Sequence, residues 1–247
     1  MVSMVNKKYI KYSLIISCML IAALFFSILE IMYLSEKNGN PAMVISTFDY
    51  LACAQNSIVA GINFYIFAVV IALETVLLTD NDYSYNAIIR YGRSNLFYRQ
   101  VVKIILTALC FSSIFFWINF TMSLDKSVVF YNWSDINSYL FYTKKYFVEI
   151  NPYLLMFLIW LQIFMYIVST ELLYLLIKWI FWRGIEAFIM IVWLIFLIIE
   201  RLTGRMIPVV NAATLHENMV EQTFFITIIL ISMKLILLKT VIKKRDL

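Results

Sequence analysis

Three ionisable residues, Glu74, Glu171 and Lys234, stand inside otherwise apolar runs of this 247-residue chain. A charge at the centre of a membrane helix costs about 2.5–3.5 kcal/mol on insertion scales, so such groups turn toward protein or water. Two readings follow. In one, the three form a gate or polar lining near one mouth of a helical bundle. In the other, each lies close enough to a helix end to snorkel, Lys234 above all, or is held in a structural ion pair. Glu200-Arg201, at the end of another apolar run, reads as an interfacial anchor.

Other chemistry finds less footing. His216-Glu217-Asn218-Met219-Val220 opens like a zinc-protease helix, but the second His must stand at i+4 to share the metal. That position is Val220, and His216 is the only histidine, with no evident nucleophile beside it. A phosphate loop needs Gly-x-x-x-x-Gly-Lys-Ser/Thr so that backbone N–H groups can cradle phosphates, and no such run occurs. Cys18, Cys53 and Cys110 are scattered without a Cys-x-x-Cys and suggest neither a metal nor a disulfide framework. The chain is therefore expected not to be an enzyme by itself, with no catalytic residues, no metal and no cofactor.

The elements that position these charges are set by composition. Hydrophobic residues fill 63% of the chain and charged residues only 14%, where soluble domains carry about 25% charge. The apolar runs are continuous rather than alternating, which selects helices over a barrel. Six spans of about 20 residues can be drawn, at 12–34, 57–78, 103–122, 153–177, 184–202 and 222–242. Together they make a single all-α transmembrane domain over 1–247. The last two are the weakest, being short of charge-free length or interrupted by Lys234.

Basic residues orient the bundle. With both termini inside, 13 lie on the cytoplasmic side and 6 on the outside. The formal charge of +5 then reflects that bias and contact with anionic lipid, and nothing supports nucleic-acid binding. Ile15-Ile16-Ser17-Cys18 resembles a lipoprotein cleavage site, but the apolar run continues to Leu34, so an uncleaved first span is the better reading.

Outside, 123–151 is rich in aromatic residues, among them Tyr131, Trp133, Tyr139 and Phe147. Their density beside a span predicts rings floating at the membrane interface, with Asp135 capping a short helix. Asn151-Pro152 opens the fourth span, since Pro is tolerated in a first turn. The segment 203–221 contains Pro208 and is expected to form a short helix near 212–221.

Between spans two and three lies a polar island, 79–100, reading TDNDYSYNAIIRYGRSNLFYRQ. Thr79-Asp80-Asn81-Asp82 favours caps and turns over helix. A short helix through Asn86, Ile88, Ile89, Arg90 and Tyr91 is predicted, capped by Asp82 or Ser84 and ending at Gly92. Arg93-Ser94-Asn95 then turns the chain into span three. Ile88 and Ile89 would be available to a partner's groove, with Arg90 and Arg93 at its rim. The alternative is an interfacial loop whose arginines rest on lipid phosphate.

Glu74 late in span two, the acidic break Asp80-Asn81-Asp82-Tyr83, and Ala87-Ile88-Ile89-Arg90-Tyr91-Gly92-Arg93-Ser94 together resemble permease subunits of type-2 ABC exporters. The flavour is that of small six-span permeases of peptide-antibiotic export and self-immunity. The resemblance is residue-specific over 74–103. The chain departs from the family in its short segment 1–11, where an amphipathic elbow helix is usual, and in 203–221, where re-entrant helices are usual. The resemblance implies that 79–100 is the coupling segment, with Asn86, Ile88, Ile89, Arg90, Tyr91, Gly92 and Arg93 contacting the motor. It implies two separate ATPase subunits, a second permease chain, identical or homologous, and an amphipathic or antimicrobial peptide moved outward across the bacterial cell membrane. The rival is a non-transport immunity or scaffold protein that binds a peptide through its aromatic outer loop.

Overall fold

A computed structural model describes residues 2–36, 43–56, 58–79, 89–144, 147, 149–181, 185–203 and 219–244. The fold is all-helical. Within the described residues eight helices are labelled in chain order: α1 Val2–Glu36, α2 Thr47–Asn56, α3 Ile58–Thr79, α4 Arg93–Lys126, α5 Tyr139–Lys144, α6 Pro152–Ile180, α7 Ile185–Thr203 and α8 Met219–Lys244. Three stretches, Leu14–Leu34, Ser94–Lys126 and Pro152–Ile180, are long and apolar enough to cross a membrane. Gly61–Thr75 and Phe188–Ile199 are shorter apolar helices. The chain is thus membrane-embedded by length and composition.

Helix α6 is the axis. It packs against α3, α4, α7 and α8, while α1 lies on α3 and α4. Leu155, Ile159, Ile163, Ile167 and Leu172 are buried along it, whereas α1 and α4 leave most of their apolar surface outward, Phe25, Leu106 and Trp117 included. In water that exposure would be untenable. In hydrocarbon it is the ordinary outer face of a bundle, because lipid tails are as apolar as leucine. Aromatic rings tie the centre together: Phe64 of α3 lies 5.2 Å from Phe115 of α4 and 5.1 Å from Tyr166 of α6.

Helix ends follow local chemistry at some points and depart from expectation at others. The Asn151 side chain accepts from Tyr153 N–H at 2.9 Å with Pro152 in the first turn, as the Asn-Pro pair predicts. The island differs. Arg93-Ser94-Asn95 is not a turn: α4 begins at Arg93, capped by Gly92 with no side-chain hydrogen bond. The 34 residues of α4 extend about 51 Å at 1.5 Å per residue. This exceeds the ~30 Å hydrocarbon layer, so its polar first turns stand clear of the apolar zone. Apolarity marks where a helix meets lipid, not where it stops.

At the opposite end, α2 is an element that apolar runs did not predict. The stretch 43–46 lies beside 127–138, with Val44 N–H donating to Asn137 C=O at 2.8 Å and Thr47 N–H to Val129 C=O at 3.0 Å. Trp133 has 0% exposure and packs with Tyr131 around Phe48 of α2. For Trp133 and Tyr131 the expectation of rings floating at the interface is corrected: they form the core of a cap that joins α2 to α4, while Phe147 remains 50% exposed. Asp135 is likewise not the cap of α5. Ser138 Oγ accepts from Phe141 N–H at 3.1 Å instead.

Candidate functional site

Two groups of polar residues break the apolar interior, and both belong to α6. On one side Glu171 meets Thr107 of α4, whose hydroxyl lies 3.1 and 2.9 Å from the two carboxylate oxygens. Thr75 of α3 reaches Thr107 at 3.3 Å. Glu74 stands one residue before Thr75 on α3, and its Oε2 is buried with no hydrogen-bond partner among the described residues. On the other side Lys234 Nζ of α8 donates to Ser169 Oγ at 2.6 Å and to Ser169 C=O at 3.1 Å. Ser169 and Glu171 are two residues apart, about 3 Å along the axis, so both groups share one level of the bundle.

The structure therefore gathers Glu74 and Glu171 and sets Lys234 apart from them. Among the described residues neither glutamate is ion-paired with Lys234, which is satisfied by a serine. Glu171 is 1% exposed, too deep to snorkel. Among the described residues the donors in this layer are few, the hydroxyls of Thr107 and Thr75. Thr107 has one hydroxyl hydrogen, yet Glu171 and its own helix carbonyls at Lys103, 2.9 Å, and Ile104, 3.0 Å, all lie within its reach. Thr75 likewise faces Ile71 C=O at 3.0 Å. Such a layer is held together only while the helices stay in register, and it offers acceptors to any donor-bearing group that enters.

Two further rungs lie along the same α4–α6 seam. Trp179 Nε1 donates to Gln100 Oε1 at 3.0 Å, and Trp160 Nε1 donates to Ser113 Oγ at 3.3 Å. As the α4 number rises the α6 number falls, the mark of an antiparallel pair. Gln100 is fully buried, and its Nε2 has no hydrogen-bond partner among the described residues. A third helix joins α4 nearer the cap, where Ser27 of α1 donates to Asn119 Oδ1. None of these partners was singled out in the sequence. Thr, Ser, Gln and Trp in an apolar run become visible only once it is known which helix faces touch.

The second candidate region is the tip that carries the island. Asn86 and Ile88 lie outside the described residues. Ile89 is 66% exposed, and Arg90 is exposed beside it. The Tyr91 ring sits under two guanidinium groups, with Arg90 at 5.5 Å and Arg99 at 4.7 Å from its centroid. Gly92 has φ 71 and ψ 152, an extended mirror region that is essentially restricted to glycine. It therefore does not close the preceding turn as a left-handed cap; it redirects the chain from the helical turn at 89–91 straight into Arg93 and α4. The outcome is an exposed apolar side chain flanked by cations, on the helical turn that leads through Gly92 into α4.

At the far cap, the Asp49 carboxylate accepts from Ser46 N–H at 2.8 Å, from Ser46 Oγ at 2.7 Å and from Trp133 Nε1 at 2.7 Å. Burial pushes its carboxyl up from 3.8 to about 6 against the pull of those donors. Burial likewise raises the Tyr131 hydroxyl, with Glu149 adding to the rise and the Ile150 N–H opposing it. Of the cysteines, Cys18 and Cys110 are free and exposed on the bundle's outer face. Among the described residues no group of acidic, His and Cys side chains could hold a metal. No known protein family, curated protein or solved structure matches this chain.

Proposed function

We propose that the chain is the membrane-spanning permease subunit of an ATP-driven exporter of type-2 ABC kind, moving an amphipathic or antimicrobial peptide outward. In this reading α1, α3, α4, α6, α7 and α8 are six spans, both termini are cytoplasmic, and ATP is hydrolysed by separate subunits that dock at 79–100. A second permease chain completes the path. The observation that carries the reading is the projecting tip. Ile89 and Arg90 are exposed just before α4, whose first residue Arg93 lies about 21 Å along the axis from the Thr107 that meets Glu171. A push on the tip would tilt α4 as a rigid lever, shear the donor-poor layer against α6 and admit water or substrate there. This is a rigid-element, two-state mechanism.

The rival reading, a non-transport peptide binder using the aromatic loop, loses support because Trp133 and Tyr131 are committed to packing on Phe48. The test is purification from native membranes followed by reconstitution. ATP-dependent accumulation of an amphipathic cationic peptide in inverted vesicles, together with a co-purified ATPase, supports the permease. Peptide binding with neither would favour the rival.

A further inference from the structure

Ser46-Thr47-Phe48-Asp49 forms a reciprocal cap at the start of α2. Ser46 Oγ lies 3.4 Å from Asp49 N–H, and the Asp49 carboxylate returns to Ser46 N–H at 2.8 Å. Such a box normally sits in solvent, where its carboxylate remains hydrated. Here the box is buried: Ser46 is fully covered and Asp49 is 4% exposed, because the 127–138 loop lies over it and supplies the Trp133 Nε1–H. One carboxyl group therefore holds two things at once, the first turn of α2 and the loop that ties α2 to α4.

We propose that Asp49 is an acid-tightened latch, whose protonation strengthens the docking of α2 onto the 127–138 loop. The contacts survive protonation because Ser46 Oγ, 2.7 Å from Oδ2, can reverse its role. As a carboxylate, Asp49 accepts from that hydroxyl; as a carboxylic acid, it donates to it. Trp133 Nε1–H still finds Oδ1 in both states. The neutral form thus keeps Ser46 Oγ and Trp133 as partners, weakens the Ser46 N–H bond to Oδ2, and sheds the cost of burying a charge.

Among the described residues no neighbouring charge competes. The packed elements bring Glu30 and Glu36 from α1, Asp125 and Lys126 from α4, and Tyr131 and Asp135 from the loop. Asp125 and Lys126 pair with each other at 3.4 Å. Asp49 is governed by burial and by its bonds to Ser46 and Trp133. Its carboxyl is raised by folding, so the closed latch binds the proton more tightly than the open one. Closure is therefore strongest at low pH and weakens as pH rises through the folded value.

The magnitude follows from the two values, 3.8 with the latch open and about 6 with it closed. Between pH 7.5 and pH 5 the opening equilibrium should fall about tenfold. The measurement is amide hydrogen exchange of the whole protein in detergent micelles, read at 44–50 and corrected for the intrinsic pH dependence of exchange. The wild type should gain about tenfold protection over this range, and Asp49→Asn, which is neutral throughout, should show none of the gain. Trp133→Phe, which removes a donor to the charged form, should move the midpoint upward. A flat wild-type profile would overturn the latch irrespective of how any variant folds, as would an equal gain in Asp49→Asn. The readout is independent of transport, so it stands or falls apart from the permease reading.

Discussion

Replacing Thr107 with Val removes one hydroxyl and keeps the shape, isolating the bond that joins α4 to Glu171. An ordinary hydrogen bond between membrane helices is worth about 0.6 kcal/mol and at most about 1.7. The Thr107 bond differs in two respects. Its acceptor is a carboxyl group with 1% exposure, and the hydroxyl reaches both oxygens, at 3.1 and 2.9 Å. An orphaned buried acceptor costs about 1–3 kcal/mol. The loss is moderated because the same hydroxyl also serves its own helix at Lys103 C=O. Thr107→Val should therefore destabilise the bundle by about 1.5–2 kcal/mol, roughly 10- to 30-fold in the unfolding constant. Equilibrium unfolding in mixed SDS micelles measures it. Adding Glu171→Met should recover part of the loss, because removing both partners is milder than stranding one. A Thr107→Val effect below about 0.5 kcal/mol, the range of an uninvolved surface change, would refute the claim that this bond holds the layer. Strictly additive losses in the double variant would do the same.

Glu171→Gln keeps the side chain's shape and hydrogen-bonding capacity while removing its ionisable group, so insertion and assembly should persist while peptide-stimulated ATP hydrolysis falls at least tenfold. Loss of assembly with no separable activity defect would return Glu171 to a purely structural role. For topology, Asn95→Cys and Ser134→Cys are placed in a variant without Cys18, Cys53 and Cys110; both positions are exposed. Impermeant thiol labelling of intact cells should modify the Ser134→Cys variant and spare the Asn95→Cys variant. Equal access would break the six-span arrangement.

Three of the six expected spans, those over 12–34, 103–122 and 153–177, were legible because a continuous apolar run has few alternatives in a membrane, and Asn151-Pro152 announced its helix start. Gly92 was legible as a special position but not as to which helix it serves, since φ 71 with ψ 152 arises from the direction α4 must take. The start of α4 was hidden because 93–102 is polar, although helix continues through it. Helix α2 left a signal, Ser46 followed three residues later by Asp49, that hydropathy overlooks. Glu74, Glu171 and Lys234 stood out singly as charges in apolar runs. Their division into a Glu74–Thr75–Thr107–Glu171 group and a Ser169–Lys234 pair depends on which faces α3, α4, α6 and α8 present to one another. Thr75 and Thr107, 32 residues apart, and Thr107 and Glu171, 64 apart, are seen to meet only after that packing is known.

The central claim is that a separate ATP-hydrolysing subunit docks on the Ile89–Arg90 tip. Its most direct measurement is quantitative affinity purification of the tagged chain from its native membrane, comparing wild type with Ile89→Ala/Arg90→Glu. Both variant positions are exposed, so the bundle's expression and unfolding should be unchanged. Truncating a buried aliphatic anchor typically costs ~2–4 kcal/mol of binding, or ~30- to 1000-fold, so the double variant should arrive without the ATPase that accompanies the wild type in stoichiometric amount. Retention of a full complement of ATPase by the variant, or its absence from the wild type, would contradict the account.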